Sequence, residues 1–286
     1  MENCEKNKVE AATLYLVATP IGNLADISER AKKVLCEVDF VAAEDTRNSA
    51  RLLSAYGIRK ELVSYHEHNR AKSGKAIIER LALGESCALV TDAGMPAVSD
   101  PGEDIVRLAY DSGIAVSVVP GACAAVSALA LSGLSTSRFA FEGFLPVKDS
   151  ERKARLSELV SDTHTLIFYE APHKLQRTLA DMCAVFGEDR KISLCRELTK
   201  INEEVERYTL GEAVKAYEKK EPRGEYVLII EGASSQACAD SELLSLTPEE
   251  HVAHYEGEGL SRMDAIKAAA RDRGMKKNEL YKLLVE

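Results

Sequence analysis

The sequence lacks any apolar run near the ~20 residues that a membrane-spanning helix needs. Its richest apolar stretch, ACAAVSALAL, is short and made of small side chains. The opening residues, MENCEKNKVEAA, lack the basic start and apolar centre of a secretion signal and read as a loose tail over residues 1–12. The seven cysteines are scattered, odd in number and never spaced as CxxC. That pattern excludes a disulfide framework and a zinc-type site, and it points to a reducing cytoplasm with each cysteine a small buried hydrophobe. The six histidines form only two close pairs, His66 with His68 and His251 with His254, neither with cysteine partners. No metal is expected. GxGxxG and GxxxxGK[ST] are both missing, so nothing supports a phosphate-rich cofactor.

Net positive charge is also lacking. The formal charge is −9, which counts against a nonspecific nucleic-acid binder. The charge is uneven, however. Residues 234–260 contain no Lys or Arg, whereas 261–286 carry Arg262, Lys267, Arg271, Arg273, Lys276, Lys277 and Lys282. A globally acidic chain can still present a basic end.

What is present is a β–α rhythm. TLYLVAT, VDFVAAE, ELVSY, CALVT and IAVSVV read as strands separated by helical patterns. Asp26 and Glu29 have the spacing of a capping box at the first helix. This half predicts a mainly parallel sheet covered by helices. Beyond Ser135–Arg138, RKISLCREL and EEVERYTLG follow each other with little helix between, which predicts mixed or antiparallel pairing. The fold class is therefore α/β. A parallel-sheet domain is expected over 13–135 and a mixed-sheet domain over 136–232. A linker follows over 233–246, then a helical extension over 247–286.

Three Gly- and Pro-bearing loops follow strands of the first half. They are TPIGN (Pro20, Gly22, Asn23), DAGMPAVSDPG (Asp92, Gly94, Pro96, Ala97, Ser99, Asp100) and PGACA (Pro120, Gly121, Ala124). In a parallel sheet these ends share one edge, where ligands bind. Ionised Asp92 and Asp100 accept hydrogen bonds and repel phosphate, so they suit a ligand with ammonium or hydroxyl groups. S-adenosylmethionine has both.

LYLVATPIGNLADIS, AAEDTR, SYHEHN, TDAGMPAVSDPG, VPGACAAVSAL, FEGFLP, FYEAPHK, RELTK and RGEYVLIIEG occur in this order. Together they resemble the hallmark segments of the bacterial ribosomal RNA small-subunit methyltransferase I family, whose fold resembles the tetrapyrrole (precorrin-type) methylases. The resemblance covers about residues 13–232, and the tail is also similar. One departure is Met95, where the family's loop commonly has Thr. The resemblance implies S-adenosylmethionine as cofactor, with Tyr169 of FYEAPHK added to its site. It also implies transfer of methyl to the ribose 2′-hydroxyl of a cytidine in 16S rRNA, in the decoding region of the small ribosomal subunit, by a cytoplasmic homodimer.

A 2′-hydroxyl needs a proton acceptor to become a nucleophile. Glu44, Asp45, His66, Glu170, Glu197 and Glu203 are the candidate acceptors, with the base not assigned, and Glu44, Asp45, Arg47, His66, Glu170, His173, Arg196, Glu197 and Lys200 are the candidates for the rRNA side of the cleft. The helix bearing Lys148, Arg152, Lys153 and Arg155 is either a phosphate contact or a solvated face. Two rival readings share the loops: a small-molecule methylase of the same fold, and a noncatalytic cofactor-sensing RNA-binding module.

Overall fold

The computed structural model describes residues 8–234, 243, 246–273 and 275–284. The first sheet holds β1 (Thr13–Val17), β2 (Phe40–Ala43), β3 (Glu61–Ser64), β4 (Cys87–Val90) and β5 (Ala115–Val119). Their order is β3-β2-β4-β1-β5, and every pairing is parallel. β2 and β4 are buried along their whole length, as strands covered on both faces must be. Alternation along them feeds two cores. One joins Val41 and Val90 to Leu35 of α1 (Glu29–Glu37) and Leu53 of α2 (Thr46–Ala55). The other joins Ala42 and Leu89 to Ile77 of α3 (Arg70–Ala82) and Ile105 of α4 (Glu103–Asp111).

The apolar stretch of small residues becomes α5 (Ala124–Ser132). Ala125, Ala128 and Leu129 pack beneath the second sheet on Ile167, Cys195, Val227 and Ile229. That sheet holds β6 (Phe139–Phe144), β7 (Thr165–Glu170), β8 (Lys191–Arg196), β9 (Glu204–Thr209) and β10 (Tyr226–Ile230), in the order β6-β7-β10-β8-β9. β6 runs parallel to β7, while β10 is antiparallel to both β7 and β8. The mixed pairing matches the expectation for this half. Its other face is covered by α6 (Asp149–Glu158), α7 (Pro172–Phe186) and α8 (Leu210–Lys219), through Leu156, Leu175, Leu179 and Tyr217.

Several expectations change. Asp26 does not cap α1. It closes a 3-10 turn over Leu24–Asp26, and Ser28 caps the helix by accepting from the Ala31 N–H at 3.0 Å. Hydroxyl-bearing Ser28 lies next to the first helical residue, where an N-cap must stand. α8 is unanticipated, because the strand-like run EEVERYT passes directly into it. Thr209 and Glu212 form its capping box. Cys36 is exposed rather than a buried hydrophobe. Residues 1–7 of the expected tail lie outside the described residues, and Val9 packs on the first core. Most of the expected linker, 235–242 and 244–245, also lies outside them.

After it come α9 (Pro248–Gly257), α10 (Arg262–Asp272) and α11 (Lys277–Leu283). They close around Val252, Ile266, Ala269 and Leu280. His251 is fully buried there and its Nδ1 accepts from Arg273 Nε at 3.0 Å.

At the charged helix α6 one of the four basic side chains, Arg152, faces inward. Arg152 is only 1% exposed. It donates to Asp181 at 2.7 Å, to Asp149 at 2.7 Å and to the Val147 carbonyl at 3.0 Å. Arg155 is paired with Glu142 and Glu158, Lys148 with Glu151 and Lys153 with Asp149. Removing Arg152 leaves the mostly buried Asp181 carboxylate with Lys153 at 3.9 Å as its cationic neighbour. Arg152→Ala is therefore expected to lower unfolding free energy by roughly 3–5 kcal/mol, measured by urea denaturation.

Candidate active site

The strand order decides where the site forms. β1 lies between β4 and β5, so the three Gly- and Pro-bearing loops leave three adjacent strands at one edge. The first two loops are joined directly. The Thr19 N–H donates to the Gly94 carbonyl at 2.8 Å and the Gly94 N–H donates back at 3.1 Å. Gly94 sits at φ +86°, a left-handed conformation that a side chain would strain. Ala97 and Ser99 hold positive φ without being glycine. Such strain persists only where surrounding structure enforces it, and it clusters at functional sites. In the third loop Gly121 lies so close to Ala18 that an added Cβ would sit 2.9 Å from its methyl.

The second sheet supplies the opposite wall. β10 is antiparallel, and its first residue, Tyr226, pairs with Glu170 and Arg196 at the ends of β7 and β8. Three strand termini thus meet the three loops across a cavity of about 600 Å³, within the usual range for small-ligand sites. Ile21, Met95, Val98, Phe144, Leu198 and Val227 give it an apolar lining, while Glu44, Asp92, Asp100, Glu170 and Glu225 bring carboxylates. Burial pushes the Asp100 carboxyl up to about 6, reinforced by the negative charges of Glu44 and Asp92 and opposed by a Thr91 hydrogen bond. Thr91 donates its hydroxyl to Glu44 at 2.8 Å, and Asn48 donates to Asp92 at 2.9 Å. This side of the cavity is an acceptor-rich nest that a cation would relieve.

The anticipated cofactor residues divide. Asp92, Gly94, Ser99, Asp100, Ala124 and Tyr169 line the cavity, and Pro20, Gly22, Asn23, Pro96, Ala97, Pro120 and Gly121 do not. Asn23 caps the 3-10 turn, accepting from Ala25 N–H at 3.0 Å. Gly22 packs against Lys200, whose Cγ would lie 2.4 Å from an added Cβ. Tyr169 accepts from the Ala125 N–H at 3.2 Å, and burial raises its phenol to about 12.

The anticipated rRNA-side residues divide too. Glu44, Glu170, His173 and Lys200 line the cavity. Asp45 instead caps α2 and pairs with Arg47 at 2.8 Å, whose hydrogen bonds hold its carboxyl at about 2. His66 is outside the lining, edge-on to His68 with ring centroids 6.0 Å apart. Arg196 pairs with Glu204 at 3.1 Å. Glu197 accepts from Lys200 Nζ and from the Glu225 N–H at 2.8 and 2.9 Å, and the Lys200 bond lowers its pKa. Glu170, 5% exposed, is also engaged. Its oxygens accept from the Ala171 N–H at 2.8 Å and the Thr178 hydroxyl at 2.5 Å. Phe144, Leu198, Glu225 and Val227 were not anticipated. The available signal was the antiparallel start of β10, which brings residues before and after Tyr226 to the edge where β7 and β8 end.

Comparison with known proteins agrees with this architecture. Residues 13–214 match the family model of Tetrapyrrole (Corrin/Porphyrin) Methylases. Ribosomal RNA small subunit methyltransferase I of Halalkalibacterium halodurans is 48% identical over 275 residues, covering 96% of this chain and 95% of the relative. The Bacillus subtilis protein of the same name is 46% identical, covering 96% and 94%. Among solved structures, a cobalt precorrin-4 methyltransferase aligns with TM-score 0.57 at 16% identity, over 77% of this chain and 95% of that one. A diphthine synthase aligns with TM-score 0.59 at 17% identity, over 77% and 90%. These two likenesses concern the fold. The near full-length relatives are decisive: the chain belongs to the ribosomal RNA small subunit methyltransferase I family and has the tetrapyrrole methylase fold.

Proposed function

We propose that this chain is an S-adenosylmethionine-dependent methyltransferase of 16S rRNA, acting on the ribose 2′-hydroxyl of a cytidine in the decoding region. The observation that carries this reading is the cavity between the three loops and the second sheet, apolar on both walls and with Glu44, Asp92 and Asp100 clustered on the loop side, in a chain of this family. S-adenosylmethionine fits that donor set. Asp92, Asp100 and Glu44 would face its cationic groups, and Met95, Leu198 and Val227 would meet its apolar surface. When bound, the cofactor supplies an activated methyl group.

The protein's share is to place the hydroxyl and take its proton. Of the anticipated acceptors, Glu44 and Glu170 line the cavity, joined by His173 of the rRNA-side set. Glu170 is held on both oxygens and Glu44 is held by Thr91. His173 is exposed near the start of α7 and makes no hydrogen bond among the described residues. It is the proposed acceptor of the 2′-hydroxyl proton. Lys200, held between Glu197 and Glu225 at 2.8 Å each, contributes a fixed cation rather than a base.

Labelled methyl transferred from S-adenosylmethionine to purified small subunits tests the function directly. Labelling only a uroporphyrinogen-type substrate would overturn it. His173→Gln should lower kcat on subunits by about 10²–10⁴-fold, with cofactor affinity unchanged by calorimetry.

Asp100 gives a pH signature. Its raised pKa means that the empty site keeps a proton up to about 6, and a cationic ligand favours the ionised form. Binding then releases that proton below pH 6. Cofactor affinity should fall by about tenfold from pH 7 to pH 5, and Asp100→Asn should flatten the dependence.

The basic helices α10 and α11 are proposed to hold rRNA or the assembled subunit. A chain ending at Ala233 should keep cofactor affinity and lose methylation of subunits, measured by binding calorimetry and label transfer.

A further inference from the structure

Phe144 ends β6 in the cavity wall and is 58% exposed. Its position results from a local irregularity. The register between β6 and β7 slips between Phe141 and Gly143, and Gly143 lies at φ +64°. Strict alternation would put Phe141 and Phe144 on opposite faces of the sheet. The slip pairs Phe141 with Ile167 and Phe144 with Tyr169, so both rings share a face. Irregularities of this kind re-aim side chains beside active sites. Tyr169 then braces both rings edge-on, at 5.0 Å from Phe141 and 5.5 Å from Phe144. The result is a rigid aromatic shelf with one ring left open at the cavity.

A cation is tied to the chain three residues beyond Phe144, at Val147. Arg177 lies one helical turn beyond His173 on α7, exposed, and donates to the Val147 carbonyl at 3.4 Å. It makes no ion pair among the described residues. An exposed aromatic ring with a solvent-facing arginine on the adjoining helix suits a single-stranded nucleotide, with the base stacked and the phosphate held by charge. An acceptor ribose also has to leave its stack before it can enter a cavity.

We infer that Phe144 is the stacking platform for the base of the target nucleotide, and that Arg177 holds a neighbouring phosphate. The inference rests on the rRNA reading above. It places the base on Phe144 and the ribose towards His173, with the cofactor on the acidic side.

The test uses the full chain and small subunits from cells that lack it. Phe144→Ala should raise KM for subunits about tenfold or more, while S-adenosylmethionine affinity by calorimetry stays unchanged. Phe144→Tyr should restore KM, and Phe144→Leu, which keeps apolar bulk without a ring, should not. Arg177→Gln should make KM less sensitive to salt. An unchanged KM in Phe144→Ala, or equal rescue by Leu and Tyr, would overturn the stacking role. Lost cofactor affinity with KM unchanged would assign the ring to the cofactor's adenine instead. Absence of subunit labelling by the unmodified chain would overturn the underlying rRNA reading itself.

Discussion

Thr19 and Gly94 exchange two backbone hydrogen bonds, at 2.8 and 3.1 Å, between loops 75 residues apart. The rest of the site depends on this bridge. It is possible only because β1 and β4 are neighbours in the sheet and because Gly94 accepts a left-handed backbone. It fixes the path of the loop that follows, including the strained Ala97 and Ser99, and so the placement of Asp92 and Asp100. The Thr19 hydroxyl adds a bond to the Thr91 carbonyl at 3.2 Å. Few soft torsions remain in that wall, so charge can be concentrated there without the loop swinging into solvent.

Concentrated negative charge gives the site its chemical character. Isolated acids at a surface would be screened and of little consequence. Here burial and mutual repulsion raise one carboxyl well above its ordinary value. The lysine that lines the cavity, Lys200, lies on the other side, where it is neutralised by Glu197 and Glu225 while it packs against Gly22 of the first loop. The ion triad thereby packs against the first loop.

Much of the fold was legible in the sequence because the strands are short apolar runs closed by Gly, Pro or Asp. Strand order was not. Nothing local says that β1 sits between β4 and β5, although that adjacency turns three ordinary turns into one site. The opposite wall was harder still, since antiparallel β10 presents Glu225 and Val227 at its start rather than its end. Arg152 shows a second limit. A basic residue in a charged helix resembles a solvated or phosphate-binding group until tertiary packing brings Asp181 against it. The motif AAEDTR follows β2, yet its Asp45 and Arg47 satisfy each other locally. Glu44, one residue earlier, is the member that lines the cavity.

The central claim is that one wall presents a methyl donor to a ribose hydroxyl held by the other. Mass mapping of rRNA from cells with and without this chain addresses it most directly. The account predicts that a single cytidine in the decoding region of 16S rRNA loses a methyl group from its ribose when the chain is absent. An unchanged map, or a methyl lost from a base rather than a ribose, would contradict it.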